Sequence, residues 1–359
     1  MVATSRVSKN RGTASRISLY QWARIALLLS LLPILAAGGS IASLMPQPAF
    51  AQEAQAPDVA AMIQSVVGVK AIIPSNARTA ESLGTERLGS GIVIDSSGLI
   101  VTIGYLVMEA SSVEVRTADG KVHPADIVAY DQASGFGLLR GQYGFKAKPM
   151  RLGRSADVKV GDPLLALSHG GPEAVRATLL VSKREFAGYW EYLLDEALFT
   201  SPPIMDFGGA ALVSPKGELI GVGSLFVHDA APPLVAPGNM FIPVDVLRPI
   251  LGDLIALGRP ATPPHPWLGL TTHEEGDRLV IGKVTPDSPA ATAGLRTNDT
   301  IVGVAGQPVT RLADFYRKIW ALGDAGVRVP LDIRRGDQVE SVSVVSMDRY
   351  RHLRLNPTF

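Results

Sequence analysis

The sequence predicts a mainly β protein. Short apolar runs with turn signals between them recur from about residue 67 to about residue 242, at the roughly 8–12-residue spacing of a β barrel or sandwich. Few segments in that region carry helical spacing. A Pro-rich stretch then separates a final unit in which short strands alternate with two helical patterns.

Taken in order, a basic region precedes "IALLLSLLPILAAGGSIASLM" (Ile25–Met45), and "PAFAQEAQA" follows. Ala49-Phe50-Ala51 is a small-x-small cleavage signature, so residues 1–51 read as a signal peptide with Gln52 as the new N-terminus. The rival reading is a retained membrane anchor, weakened by Pro33 and the Gly38-Gly39-Ser40 break. Asp58–Val67 has helical spacing at Val59, Met62, Ile63 and Val66, and a first strand is expected at Val67–Ile73. "GSGIVIDSSGLI" (Gly89–Ile100) is a strand, a Ser-Ser-Gly turn and a second strand. "SVEVRTADGKVHPADIVAY" is a hairpin turning at Ala118-Asp119-Gly120. Gly91–Ile100 and Ala211–Val222 share one scheme of strand, polar turn, Gly and strand. The echo suggests a duplicated barrel with any site between the copies, although any two β hairpins can look alike. Ile242–Arg259 reads as one helix, with Asp245 as its cap and Leu247, Ile250, Leu251, Leu254 and Ile255 as its apolar face. "PATPPHP" (Pro260–Pro266) is a stiff linker. Beyond it, strands are expected at Leu268–Thr271, Leu279–Val284, Thr300–Val304, Val329–Arg334 and Gln338–Val345, with helices at Ser288–Ala293 and Leu312–Leu322.

Composition narrows the chemistry. The chain has 359 residues, 47% of them hydrophobic, enough for two or three domains with sizeable cores. The formal charge is +1, but residues 1–51 hold five basic residues and no acidic one. The remainder is mildly acidic and forms no basic stripe, which argues against nucleic acid as a partner. The absence of cysteine excludes disulfides, thiol catalysis and Cys-ligated zinc. The six histidines show no HExxH or paired spacing, so neither a metal site nor a cofactor is expected.

"LGSGIVIDSSGLIVT", "RLGRSADVKVGDPLLAL", "ALVSPKGELIGV" and "FIPVDVLRPILGDLIALGR" resemble HtrA/DegP-type proteins, trypsin-fold serine proteases with a C-terminal PDZ domain. "PWLGL" and "LVIGKVTPDSPAATAGLRTNDTIVGVAGQPVTRLADF" are similar to the PDZ half. The resemblance implies a trypsin-like double β-barrel over residues 52–258, a linker at 259–266 and a PDZ domain at 267–350.

The catalytic residues of that family do not carry over. The histidine slot of its T-N-N-H-V-like segment falls on Tyr105 in "TIGYLV". The aspartate slot falls on Gly135 in "DQASGFGLL". Counting back from Gly217 places the serine slot at Gly208 in "MDFGGAAL", and a slip of one would place it at Phe207. Acyl transfer at a serine needs a hydroxyl, a base titrating near neutrality and a carboxylate to orient that base. A tyrosine of pKa ~10 is a poor base at pH 7, and glycine offers no group at all. The expectation is a degenerate triad with Tyr105 filling the cleft. The alternative is an active serine-type endopeptidase with relocated groups, for which His169 in "LSHGG" and His228 in "LFVHDAA" are the loop candidates. The turn Asp206-Phe207-Gly208-Gly209 could still present backbone N–H groups.

The PDZ half keeps more of its machinery. In the family, an apolar-Gly-apolar loop binds a peptide C-terminus through its amides. "WLGL" matches it, so Leu268, Gly269 and Leu270 would bind a carboxylate and the following strand would accept the peptide by β-augmentation. Ile301, Phe315 and Ile319 are the expected groove-lining side chains. The resulting expectation is an exported, periplasmic pseudoprotease that binds peptide segments or C-termini as scaffold, regulator or quality-control factor. Its partners would be protein or peptide clients, and it could form homo- or hetero-oligomers with HtrA paralogues.

Overall fold

A computed structural model describes residues 58–142 and 144–355. The expected signal peptide or anchor at residues 1–51 lies outside them. Among the described residues no helix is long and apolar enough to cross a membrane.

Asp58 caps the first helical turn, α1 (Val59–Ile63), by accepting from the Ala61 N–H at 3.0 Å. The first barrel then comprises β1 (Val66–Ile72), β2 (Glu86–Val93), β3 (Leu99–Ile103), β4 (Ser112–Arg116), β5 (Val122–Tyr130) and β6 (Phe136–Gly141), interrupted by the single turns α2 (Ala80–Leu83) and α3 (Gly104–Val107). Its strands close in the order β1-β2-β3-β6-β5-β4, with β1 pairing both β2 and β4. In β4, Val113 and Val115 point inward while Ser112, Glu114 and Arg116 face solvent, the alternation of a half-buried strand.

The second barrel comprises β7 (Pro163–Leu167), β8 (Val175–Gly188), β9 (Tyr192–Ser201), β10 (Ala211–Val213), β11 (Leu219–Val227) and β12 (Gly238–Pro243). It closes as β10-β11-β12-β9-β8-β7. Numbered from β7, that is the strand order of the first barrel, so the topology is duplicated. The sequence echo does not mark the duplication, however. Gly91–Ile100 supplies the second and third strands of its barrel, whereas Ala211–Val222 supplies the fourth and fifth. The two segments are alike because each is an apolar β hairpin.

The expected helix Ile242–Arg259 is also corrected. Ile242 and Pro243 end β12, and the rest forms two short helices, α4 (Val244–Leu247) and α5 (Leu251–Leu257). Pro249 lies in the break, where it has no N–H to give and restricts the residue before it. Asp245 caps neither helix. It accepts from the Ala156 N–H at 2.9 Å and pairs with Arg248. Leu247 and Leu254 are buried, but Ile255 is exposed.

The final unit comprises β13 (Leu270–Glu275), β14 (Arg278–Val284), α6 (Pro289–Thr292), β15 (Thr300–Val304), β16 (Gln307–Pro308), α7 (Leu312–Trp320), β17 (Arg328–Arg335), β18 (Gln338–Val345) and α8 (Arg349–His352). Its sheet runs β13-β14-β15-β17-β18, with β16 beside β15. Leu312, Phe315, Tyr316 and Ile319 bury one face of α7 against that sheet. The chain then returns to the first barrel. Leu353 packs with Met108 and Tyr130, and the Tyr350 hydroxyl donates to Tyr130 O at 2.9 Å.

Candidate functional site

Two places draw the expected site residues together. The first lies between the barrels. Tyr105 sits in α3, the helical turn that leaves β3. Arg87 holds that turn, donating to Tyr105 O at 2.6 Å and to Met108 O at 3.0 Å. The Tyr105 hydroxyl crosses to the second barrel and donates to Ser224 O in β11 at 3.0 Å. Burial pushes its pKa well above the ordinary tyrosine value, so it stays protonated and is no base near neutrality.

Gly208 faces this phenol. A β-carbon on Gly208 would lie 2.9 Å from the Tyr105 hydroxyl oxygen, so the aromatic side chain fills the space a residue-208 side chain would use. The surrounding turn is tied inward. The Gly209 N–H donates to Gly223 O at 2.8 Å, the Ala210 N–H to Phe207 O at 3.0 Å, and Gly208 O accepts from the Ser90 N–H at 2.8 Å. Gly135 has φ +82°, and its carbonyl accepts from the Gly104 N–H at 2.7 Å. The neighbouring Asp131 is buried and accepts from the Ser134 N–H at 2.8 Å, closing its own turn. Its other neighbours are likewise structural, with the Tyr192 hydroxyl donating to Ser134 O at 2.8 Å.

The relocated candidates, His169 and His228, make other contacts. The backbone N–H of His169, not its ring, donates to Ser90 Oγ at 2.9 Å. Burial, with Arg116 adding to it, lowers the His169 pKa. His228 lies edge-on to Phe226. Among the described residues no cluster of His, Asp or Glu could hold a metal ion.

The second place is the loop before β13. The Leu268 N–H donates to Glu191 Oε2 at 2.8 Å, and the Gly269 and Leu270 N–H groups both donate to Glu191 Oε1 at 2.7 Å. Gly269 has φ +86°, which turns three successive amides toward one point. Ile301, Phe315 and Ile319 are buried in the core beneath, and Leu193 from β9 packs onto that core. Glu191 was not among the expected site residues. It lies in "GYWEY", at the tip of the β8–β9 hairpin, and only its acidic character among aromatics set it apart. Burial pushes the Glu191 carboxyl up, while the three amides and Arg349 pull it down. A cavity of about 90 Å³ adjoins this loop, lined by Tyr192, His265, Trp267, Trp320 and Arg349 among others.

The comparisons agree with both halves. Residues 89–222 match the trypsin-like peptidase domain, and residues 266–345 match the PDZ domain. The putative serine protease HhoA of Synechocystis sp. is 29% identical over 285 residues, covering 71% of this chain and 69% of HhoA. The chain thus carries a trypsin-like peptidase domain and a PDZ domain and is similar to HtrA-type proteins. A probable periplasmic serine endoprotease, DegP-like, of Pseudomonas fluorescens is 26% identical over 288 residues, covering 76% of this chain but only 58% of that protein. The fold is that of a solved HtrA-type protease, an AlgW variant with a tripeptide, at TM-score 0.51 and 20% identity over 84% of this chain and 97% of that one. Both barrels and the PDZ domain of the HtrA architecture are therefore present here.

Proposed function

We propose that this HtrA-type chain is a pseudoprotease, a binding protein built on a protease frame. One observation carries the reading: the protonated Tyr105 phenol occupies the space beside Gly208 and spends its proton on Ser224 O. In the three slots that the family resemblance assigns to the triad stand Tyr105, Gly135 and Gly208, with no nucleophile, base or orienting carboxylate among them. On this reading residues 52–258 form the inert barrel domain, 259–266 the linker and 267–350 the PDZ domain. The PDZ groove binds peptide segments or C-termini of other proteins, with Leu268, Gly269 and Leu270 as the carboxylate loop. The protein acts as a scaffold, regulator or quality-control factor after export to the periplasm, with residues 1–51 as its leader.

The test is a proteolysis assay on the purified chain with casein and an unfolded protein, run beside fluorophosphonate labelling. No cleavage and no labelling are expected. Cleavage that survives removal of contaminating proteases would overturn the reading and direct attention to His169 and His228.

A further inference from the structure

The groove proposed to take peptides is already filled by the chain itself. Three amides of the carboxylate loop converge on the Glu191 side chain. Two residues earlier, Tyr189 O accepts from the Thr272 N–H of β13 at 2.9 Å. Alternate positions of one segment therefore bond to the loop and to the strand, as they do when a peptide adds to a sheet edge. The opposite wall of the groove holds the same tip. On α7, the Tyr316 hydroxyl donates to Gly188 O at 2.8 Å and accepts from the Glu191 N–H at 3.3 Å. Side chains continue the match: Tyr189 lies 5.3 Å from the His273 ring, and Ala187 and Leu193 pack onto the PDZ core. Arg317 of α7 pairs with Glu185 of β8 and Asp195 of β9 at the surface.

We propose that Tyr189-Trp190-Glu191 is a built-in ligand of the PDZ groove, its side-chain carboxylate standing where the terminal carboxylate of a bound peptide would stand, so that an incoming chain end must displace it. The displacement rests on the peptide-binding reading above; the occupancy does not.

Two features make the tip displaceable. Glu191 is held at φ +59°, a conformation that a glutamate leaves with relief of strain. The β8–β9 ladder reaches its last pair at Gly188 and Tyr192, so residues 189–191 can leave the groove without breaking a rung. A free chain end would bring the same two oxygens to the three amides without that strain. Binding from outside is then weakened by the fraction of molecules whose groove is closed.

The experiment compares the full chain with Glu191→Gln and Arg317→Ala, using two measurements. Hydrogen exchange at the Leu268, Gly269 and Leu270 amides reports whether the tip is seated. Fluorescence anisotropy with a pool of short peptides ending in Val, Leu, Ile or Phe, as free acids and as amides, reports binding. Glu191→Gln should speed exchange and tighten free-acid binding by about tenfold each, and amidated peptides should gain little. Arg317→Ala removes only exposed ion pairs and keeps the fold, so it should give about threefold in the same direction and decides the matter if Glu191→Gln does not fold. Unchanged exchange in the folded variants overturns the built-in ligand. Equal free-acid binding by wild type and Glu191→Gln overturns it too, while leaving the peptide-binding reading intact. Faster exchange with no free-acid binding by any form keeps the built-in ligand and sinks the peptide-binding reading.

Discussion

The Tyr105 hydroxyl oxygen stands 2.9 Å from the point where a β-carbon on Gly208 would sit, and its proton goes to Ser224 O. The two positions therefore exclude each other's side chains: a tyrosine in this pose requires a glycine opposite it. On the proposed reading, substitution at either position alone is therefore expected to restore no protease chemistry.

Gly208→Ser is accordingly expected to destabilise the protein by about 1–3 kcal/mol through overpacking against the phenol. It should also remain unlabelled by fluorophosphonates, because the new hydroxyl meets a protonated phenol and no base. Adding Tyr105→Ala should restore none of the labelling and no net stability, because truncating the phenol leaves a cavity and an unpaired Ser224 O. Urea unfolding and a labelling gel check both parts. A labelled single variant would mean that another group activates residue 208.

Tyr105→Phe isolates the hydroxyl. The ring still fills the cleft, but Ser224 O loses its donor in a half-buried setting. The expected loss is about 1 kcal/mol, the worth of a typical hydrogen bond. No change in unfolding midpoint would mean that water replaces the phenol at Ser224 O.

Glu109 anchors the loop behind α3. It is buried at φ +61° and accepts from the Thr79 hydroxyl and the Thr79, Arg78 and Arg354 N–H groups. Burial alone would raise its pKa, but these hydrogen bonds outweigh burial and hold it below the ordinary value. A depressed folded-state pKa contributes stability above the unfolded value of about 4.3, lost as pH falls through the folded value. Glu109→Gln should cost about 1–3 kcal/mol at pH 7 by leaving buried donors poorly paired. The gap between wild type and variant should narrow as unfolding is followed down through pH 4. A gap independent of pH would mean that Glu109 acts by packing alone.

Much of this was legible in the chain. The hairpin at Gly89–Ile100, the alternation of β4 and the helical face of Leu312, Phe315 and Ile319 all follow from local periodicity, and the structure has each of them. Periodicity failed where one residue outweighed it. Pro249 breaks an otherwise good helical stripe, and β12 claims Ile242 for the barrel. The site divides the same way. Tyr105, Gly135 and Gly208 are singled out by the family resemblance, each by its place in a matched motif. Glu191 could not be found that way, because its role depends on a loop 77 residues later in the chain being folded onto it.

The return of the C-terminal segment to the first barrel gives a pH dependence in a different window. His352 is buried, its ring 4.7 Å from that of Trp267. Burial lowers its pKa, Arg78 and Arg349 lower it further, and Asp287 and Glu109 oppose them. His265, stacked on Trp320 at 4.3 Å, is lowered chiefly by burial as well. A histidine whose folded pKa lies below its unfolded value stays neutral in the fold while the unfolded chain takes up a proton. Its contribution is therefore full above the unfolded value of about 6.5 and is lost as pH falls below it. Wild type should thus lose stability between pH 7.5 and 5.5, before the carboxylate window of Glu109 opens. His352→Phe keeps a ring against Trp267 and removes the proton site, so its melting temperature should fall less over the same interval, with His265 and His169, whose pKa values burial also lowers, supplying what remains. Thermal unfolding of both proteins at the two pH values is the measurement, and equal losses in the two would show that the His352 ring takes up its proton as readily in the fold as out of it.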